Sequence, residues 1–164
     1  MKTFFDLIAF GFTAAGFRKY ISTTKGRYKF DSMLFKLPIF GDIFQKVTMA
    51  RFARTLSILV RSGIPIIQAL GIVGKTVGNV LVEEAVNNAA EAVSHGESIA
   101  EPLSKSNIFP AMVVGMVAVG EQTGELQKML GKVADLYEDE VDAAVNGLAA
   151  MIEPIVIGIL GIIV

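Results

Sequence analysis

Residues 109–126, FPAMVVGMVAVGEQTGEL, join a proline-started apolar run to a turn marked by two glycines and two glutamates. Pro110 suits the first turn of a helix, where its missing N–H has no partner to lose. That helix is expected to end near Gly120. A second helix then starts at Gly124 or Glu125 and runs without a break signal into the apolar terminus at 143–164. A chain patterned this way turns back on itself and leads toward a membrane, an order of parts that no enzyme site requires.

The bulk numbers agree. At 164 residues there is room for one modest domain, and 52% apolar content with a mean hydropathy of +0.56 is high for a soluble globular protein. The formal net charge of −1 gives no reason to expect a nucleic-acid partner. Without cysteine there is no disulfide framework and no thiolate chemistry. A single histidine, His95, excludes a site built from several imidazoles. No cofactor and no metal are expected.

Charge is distributed unevenly. From Arg18 to Arg54 nine Lys/Arg face only Asp31 and Asp42, whereas from Glu83 to Asp142 twelve acidic residues face Lys105, Lys128 and Lys132. The basic part directly follows the apolar stretch 4–17, which marks the side after Arg18 as cytoplasmic. Residues 1–17 are short for a full span and carry Asp6, so they read as the end of a transmembrane helix, with 18–36 as a basic juxtamembrane linker. At the other end, 144–164 read as the start of a second, truncated span. Truncation moves Glu153 from mid-bilayer to the interface, where its charge costs less. The chain is therefore expected to be a fragment.

Between these ends the periodicity is helical throughout, with no alternating strand run and no hairpin dipeptide. Residues 40–61 place Phe44, Val47, Phe52, Leu56 and Leu59 near one face, with Arg51, Arg54 and Arg61 sharing another. Ser62-Gly63 stops this helix and Pro65 suits the first turn of the next, expected over 64–76. A third helix covers 80–94 and ends at His95-Gly96. Ser98 and Glu101 have capping-box spacing and start a short segment reaching Lys105. The expected fold is all-α, an antiparallel six-helix bundle over 37–143 with flanking partial transmembrane helices.

Candidate chemistry is sparse. The stretch ALGIVGKT at 69–76 formally fits a relaxed phosphate-loop pattern around Lys75. Such a loop needs a flexible turn between a strand and a helix, whereas Ile66, Ile67, Leu70 and Val73 before Gly74 have helical spacing. His95 beside Gly96 is expected to meet free carbonyls at a helix end. The serines have no general base. Asp135, Glu138, Asp139 and Asp142 share one side of the last helix: either a solvated face, or a docking stripe for the Arg51/Arg54/Arg61 face or for a partner protein. Glu121 and Glu125 flank a turn, and two carboxylates are too few for a calcium site.

Taken in order, these residues resemble the inner-membrane platform protein family of type II secretion and type IV pilus machines. The resemblance is carried by Leu37-Pro38-Ile39-Phe40-Gly41, by Ala50-Arg51-Phe52-Ala53-Arg54-Thr55-Leu56, and by Ser62-Gly63-Ile64-Pro65 with Ala69-Leu70. It continues through Gly96-Glu97-Ser98 and Phe109-Pro110 to Gly120-Glu121-Gln122-Thr123-Gly124-Glu125-Leu126, then Tyr137-Glu138 and Glu153-Pro154. The resemblance covers about residues 36–164. It implies a longer protein with two homologous cytoplasmic six-helix domains, of which this chain holds the second. It also implies a non-enzymatic platform on which a cytoplasmic assembly ATPase drives polymerisation of pilins or pseudopilins. Gly120, Glu121, Gly124, Leu126, Glu153 and Pro154 are the motif positions carried over.

The implied partners are the ATPase, pilins or pseudopilins, other inner-membrane components of the machine and membrane lipid. A homo-oligomer is also expected, although the sequence leaves open whether the apolar surface of the bundle drives pairing. The implied mechanism is mechanical: the unbroken helix from Glu125 acts as a lever, with Pro154 placing a kink and Glu153 near the membrane boundary. For the turn at 120–124 the plainer reading is a tight link between helices. The alternative for the whole is a small helical membrane protein with an independent transport or interaction role.

Overall fold

A computed structural model of the protein describes residues 40–163, with side-chain surroundings given for 41–147. The expectations for 1–17 and for the basic linker at 18–36 lie outside these residues. Six helices follow in chain order: α1 (Phe40–Arg61), α2 (Ile66–Val77), α3 (Val80–Ser94), α4 (Ala100–Lys105), α5 (Ala111–Thr123) and α6 (Leu126–Ile163). There is no strand among the described residues.

Each helix packs on the next, and α6 returns to α1, closing the cycle. The α1/α6 pair is antiparallel. Ser57 near the end of α1 donates to the Gln127 carbonyl at 2.9 Å, whereas Lys46 near its start meets Glu140 at 3.3 Å. Small residues, Ala53 and Ser57 on α1 with Gly131 and Ala134 on α6, let these helices approach closely; a Cβ at Gly131 would sit 3.6 Å from the Ser57 hydroxyl.

The helix ends follow from local chemistry. After α1, Gly63 adopts φ +77°; its N–H bonds the Val60 carbonyl at 3.0 Å and the Ile64 N–H reaches back to Leu59 at 3.1 Å. This paired pattern satisfies two carbonyls that the helix end would leave open. Asn79 caps α3, its side-chain oxygen accepting from the Leu81 and Val82 N–H groups at 3.0 and 3.1 Å. Pro65 and Pro110 occupy the residues just before α2 and α5, a position where proline's fixed φ is no obstacle.

The core is a single cluster drawn from all six helices. Met49, Phe52 and Leu56 of α1 are fully buried with Leu70 and Val73 of α2, Val82 and Val86 of α3, Leu103 of α4, Val113 and Val117 of α5, and Leu130 of α6. Phe52 also meets Phe109 edge-on, with ring centroids 4.9 Å apart and an interplanar angle of 71°. Such a pair adds about 0.5–1.5 kcal/mol beyond the area it buries. Phe44, expected on the core face, is instead 42% exposed. Core contact is carried by Met49 and Phe52, and Phe44 lies outside their arc.

Several boundaries differ from the sequence reading: α2, expected over 64–76, runs Ile66–Val77, and α6 starts at Leu126 instead of Gly124 or Glu125. Helix α5 continues past Gly120 to Thr123, because the residue that ends it is Gly124, with φ +72°. The segment at 98–105 becomes helical only from Ala100. α6 is one 38-residue helix, about 57 Å long at 1.5 Å per residue. It passes through Glu153 and Pro154, whose side chains fall outside the described residues. Among the described residues no helix is long and apolar enough to cross a membrane, so the expected flanking spans are not shown.

Candidate functional site

Two places gather the residues singled out in the sequence: the α5–α6 turn and the charged face shared by α1 and α6.

At the turn, Gly120 is a matter of space. A Cβ there would lie 2.8 Å from the Leu126 Cα and 3.2 Å from the Met129 Cβ, so α6 begins against the bare backbone of α5. Gly124 supplies the left-handed residue that lets the chain reverse. The Thr123 hydroxyl donates to the Val119 carbonyl at 2.7 Å, and Glu125 pairs with Lys128 at 3.2 Å. Leu126 is half-buried against the core cluster.

Glu121 points the other way, to α4. Its carboxylate accepts the Ser98 hydroxyl at 2.6 Å and the Ile99 N–H at 3.0 and 3.1 Å. This corrects the capping-box expectation. Ser98 does accept the Ala100 N–H at 3.1 Å, but Glu101 turns outward to Lys105 at 2.8 Å, and the carboxylate at the start of α4 comes from α5. The two glutamates of the turn therefore part company, each with a partner of its own.

The arginines of α1 do not act as one face. Arg51 donates to the Val77 carbonyl at 3.2 Å and so ties the α2–α3 turn to α1. Arg54 reaches across to α6, bonding Glu138 at 2.6 and 2.8 Å and Asp135 at 2.6 Å. Arg61 is exposed beside the α1–α2 turn with no ion pair among the described residues. Glu138 holds the Arg54 guanidinium above its ordinary value, with Asp135 second, and Arg54 holds Glu138 below the ordinary carboxylate range.

The acidic stripe divides likewise. Asp135 and Glu138 are taken by Arg54, while Asp139 and Asp142 are exposed and make no ion pair among the described residues. One pair was not foreseen: Lys46 bonds Asp42 at 2.8 Å and Glu140 at 3.3 Å, and both raise its pKa, Asp42 more. Nothing in the spacing of α6 alone picks out Glu140, since its partner is set by register against α1. A surface groove of about 310 Å³ lies along this seam, lined by Val47, Ala50, Arg51, Thr55, Val141 and Asp142 beside the Arg54–Glu138 pair.

Elsewhere the candidates are structural. The ALGIVGKT stretch lies inside α2, with Gly74 buried against Asn87 of α3 and Lys75 exposed in the last turn. A continuous helix cannot wrap its N–H groups around phosphate. His95 follows α3, and its Nδ1 lies 3.0 Å from the Glu91 carbonyl. Among the described residues no group of three or more His, Cys, Asp or Glu side chains is arranged to hold a metal ion.

Among the described residues the chain is helical, with a tight α5–α6 turn, a cross-helix cap from Glu121 and a long final helix. Residues 52–164 match the family described as type II secretion system (T2SS), protein F, and the chain belongs to that family. It is 47% identical over 137 residues to the type IV pilus assembly protein PilC of Myxococcus xanthus, covering 84% of this chain and 33% of the relative. Identity to the PilC protein of Thermus thermophilus is 46% over 149 residues, covering 90% of this chain and 37% of the relative. The type II secretion system protein F of Pseudomonas aeruginosa is 33% identical over 149 residues, covering 91% and 37%. The chain thus spans about a third of the length of these relatives.

Proposed function

We propose that this chain is part of a non-enzymatic inner-membrane platform protein of a type IV pilus or type II secretion machine. In that role it couples a cytoplasmic assembly ATPase to polymerisation of pilins or pseudopilins. Family membership supports the machine, and one structural observation supports the coupling. α6 roots in the bundle through Leu130, Val133, Ala134 and Tyr137 and continues as the same helix to Ile163. An unbroken helix links the bundle to its far end, so movement of α6 against the bundle is delivered to whatever that end enters. The apolar sequence of 149–164, broken only by Glu153, fits entry into lipid with that carboxylate at the interface.

On this reading the division of the chain is a membrane-helix end at 1–17, a basic linker at 18–36, the cytoplasmic bundle at 37–143 and a membrane segment from 144 onward. Asp139 and Asp142 are the residues of the acidic stripe left open to a partner. The test is genetic. Deleting the gene in its own host is expected to abolish surface pili or secretion while leaving (pseudo)pilin levels intact, and normal assembly in the deletion overturns the proposal. Replacing Asp139 and Asp142 together with lysine, which breaks no described ion pair, is expected to reduce assembly without loss of the protein. Unchanged assembly removes the docking role from these two residues.

A further inference from the structure

Among the described side chains of α6, burial stops at Tyr137. Leu130, Val133, Ala134 and Tyr137 are buried, whereas from Glu138 to Gly147 every side chain is exposed or half-buried. Beyond Tyr137 the helix is tied to α1 by charge, through Glu138 to Arg54 and Glu140 to Lys46. The surface groove lined by Val47, Ala50 and Val141 runs beside the Glu138–Arg54 pair, so apolar packing does not close the seam there.

Both cations have a second carboxylate that stays with them. Arg54 also holds Asp135, which lies on the buried side of Tyr137, and Lys46 also holds Asp42, one turn away on α1 itself. Separation of Glu138 and Glu140 from α1 therefore leaves neither cation unpaired, and the two freed carboxylates are already open to water. Partly solvated surface pairs of this kind are weak and screened by salt, whereas lifting the preceding part of α6 would expose core side chains.

We propose that α6 is divided at Tyr137 into a fixed root, 126–137, and an arm from Glu138 onward that detaches from α1 when the Glu138–Arg54 and Glu140–Lys46 pairs open. This deepens the platform reading and rests on it for its purpose. The division itself is read as a distance between helices, so it stands or falls separately from any assay of pili or secretion.

The chain contains no cysteine, so paired spin labels can be placed unambiguously once any cysteine elsewhere in the full protein is replaced. Labels at Phe44→Cys and Val145→Cys, both exposed, report the arm; labels at Ile58→Cys and Leu136→Cys report the root. In the full protein, Glu138→Gln with Glu140→Gln is expected to raise the long-distance population of the arm pair roughly two- to tenfold while the root pair keeps its distribution. Raising salt from 0.1 to 1 M on otherwise unaltered side chains is expected to act in the same direction, which tests the idea without any change to the clamp residues. An arm distribution unmoved by both treatments overturns the proposal. So does a root distribution that shifts together with the arm, since that is general loosening without a hinge.

Discussion

The Glu121 carboxylate on α5 accepts the Ile99 N–H at the start of α4, at 3.0 and 3.1 Å, across 22 residues of sequence. Ile99 is buried, so its N–H has little access to water if Glu121 is removed. The Ser98 hydroxyl, bonded to the same carboxylate and to the Ala100 N–H, completes a network that fixes a six-residue helix too short to hold itself.

Glu121→Ala is accordingly expected to destabilise the fold by about 1–3 kcal/mol, the cost of leaving a buried donor unpaired. Glu121→Gln keeps one acceptor oxygen and should lose less. Urea denaturation of the two variants beside the parent checks both size and order; an Ala variant as stable as the parent would contradict the capping role.

Gly120 and Gly115 lie on the same helix and make opposite predictions. A Cβ at Gly120 meets the Leu126 backbone at 2.8 Å, so Gly120→Ala forces α5 and α6 apart and should cost about 1–3 kcal/mol. Nothing lies within 4 Å of a Cβ at Gly115, and Gly115→Ala should be neutral or stabilising by up to ~1 kcal/mol through helix propensity. Thermal melts of the two alanine variants read the contrast directly.

Phe52→Ala removes a fully buried ring and its edge-on contact with Phe109, and the expected loss is about 3–5 kcal/mol. Phe44→Ala, on the same helix but 42% exposed, should stay within about 1 kcal/mol of the parent. Equal losses at both positions in chemical denaturation would sink the assignment of the core face.

The clamp pairs give stability a pH dependence of known sign. Glu138 is depressed in the folded protein by Arg54, so its contribution is complete above the unfolded carboxylate value of about 4.3 and is lost as pH falls through the lower folded value. Lys46 is raised by Asp42 and Glu140. Its contribution is complete below the unfolded value of about 10.4 and is lost as pH rises through the higher folded value. These pairs lie at the surface and are partly open to solvent, so each is expected to contribute only about 0.2–1 kcal/mol after screening. Stability measured against pH should lose part of its acid slope in Glu138→Gln and part of its alkaline slope in Glu140→Gln.

The helices were legible because each carries its own punctuation. Gly63, Pro65, Gly96 and Pro110 mark ends by backbone preference, and apolar spacing marks the faces, so six helices and the tight turn follow from neighbours within a few positions. The rejection of a phosphate loop at Lys75 rests on the same local pattern, and α2 runs through it as helix. The family was readable for a related reason, since the motif glycines report local geometry and spacing that the sequence preserves in order.

Partnership was not local. Arg51, Arg54 and Arg61 share a helical face, yet one ties down the α2–α3 turn, one clamps α6 and one meets solvent. Glu121 and Glu125 flank one turn, yet Glu121 caps a helix across the bundle while Glu125 pairs with Lys128 one turn along. Spacing fixes the direction in which a side chain leaves its own helix. It carries no information about the register and approach of a helix many residues away, which are set by how small residues such as Gly120, Gly131 and Ala134 let backbones close. The chain's own order thus determined the helices, the turn and the family. Only their packing decided that the turn's glutamate is a cap, that Arg54 and Lys46 are the clamps on the long helix, and that burial among its described side chains ends at Tyr137.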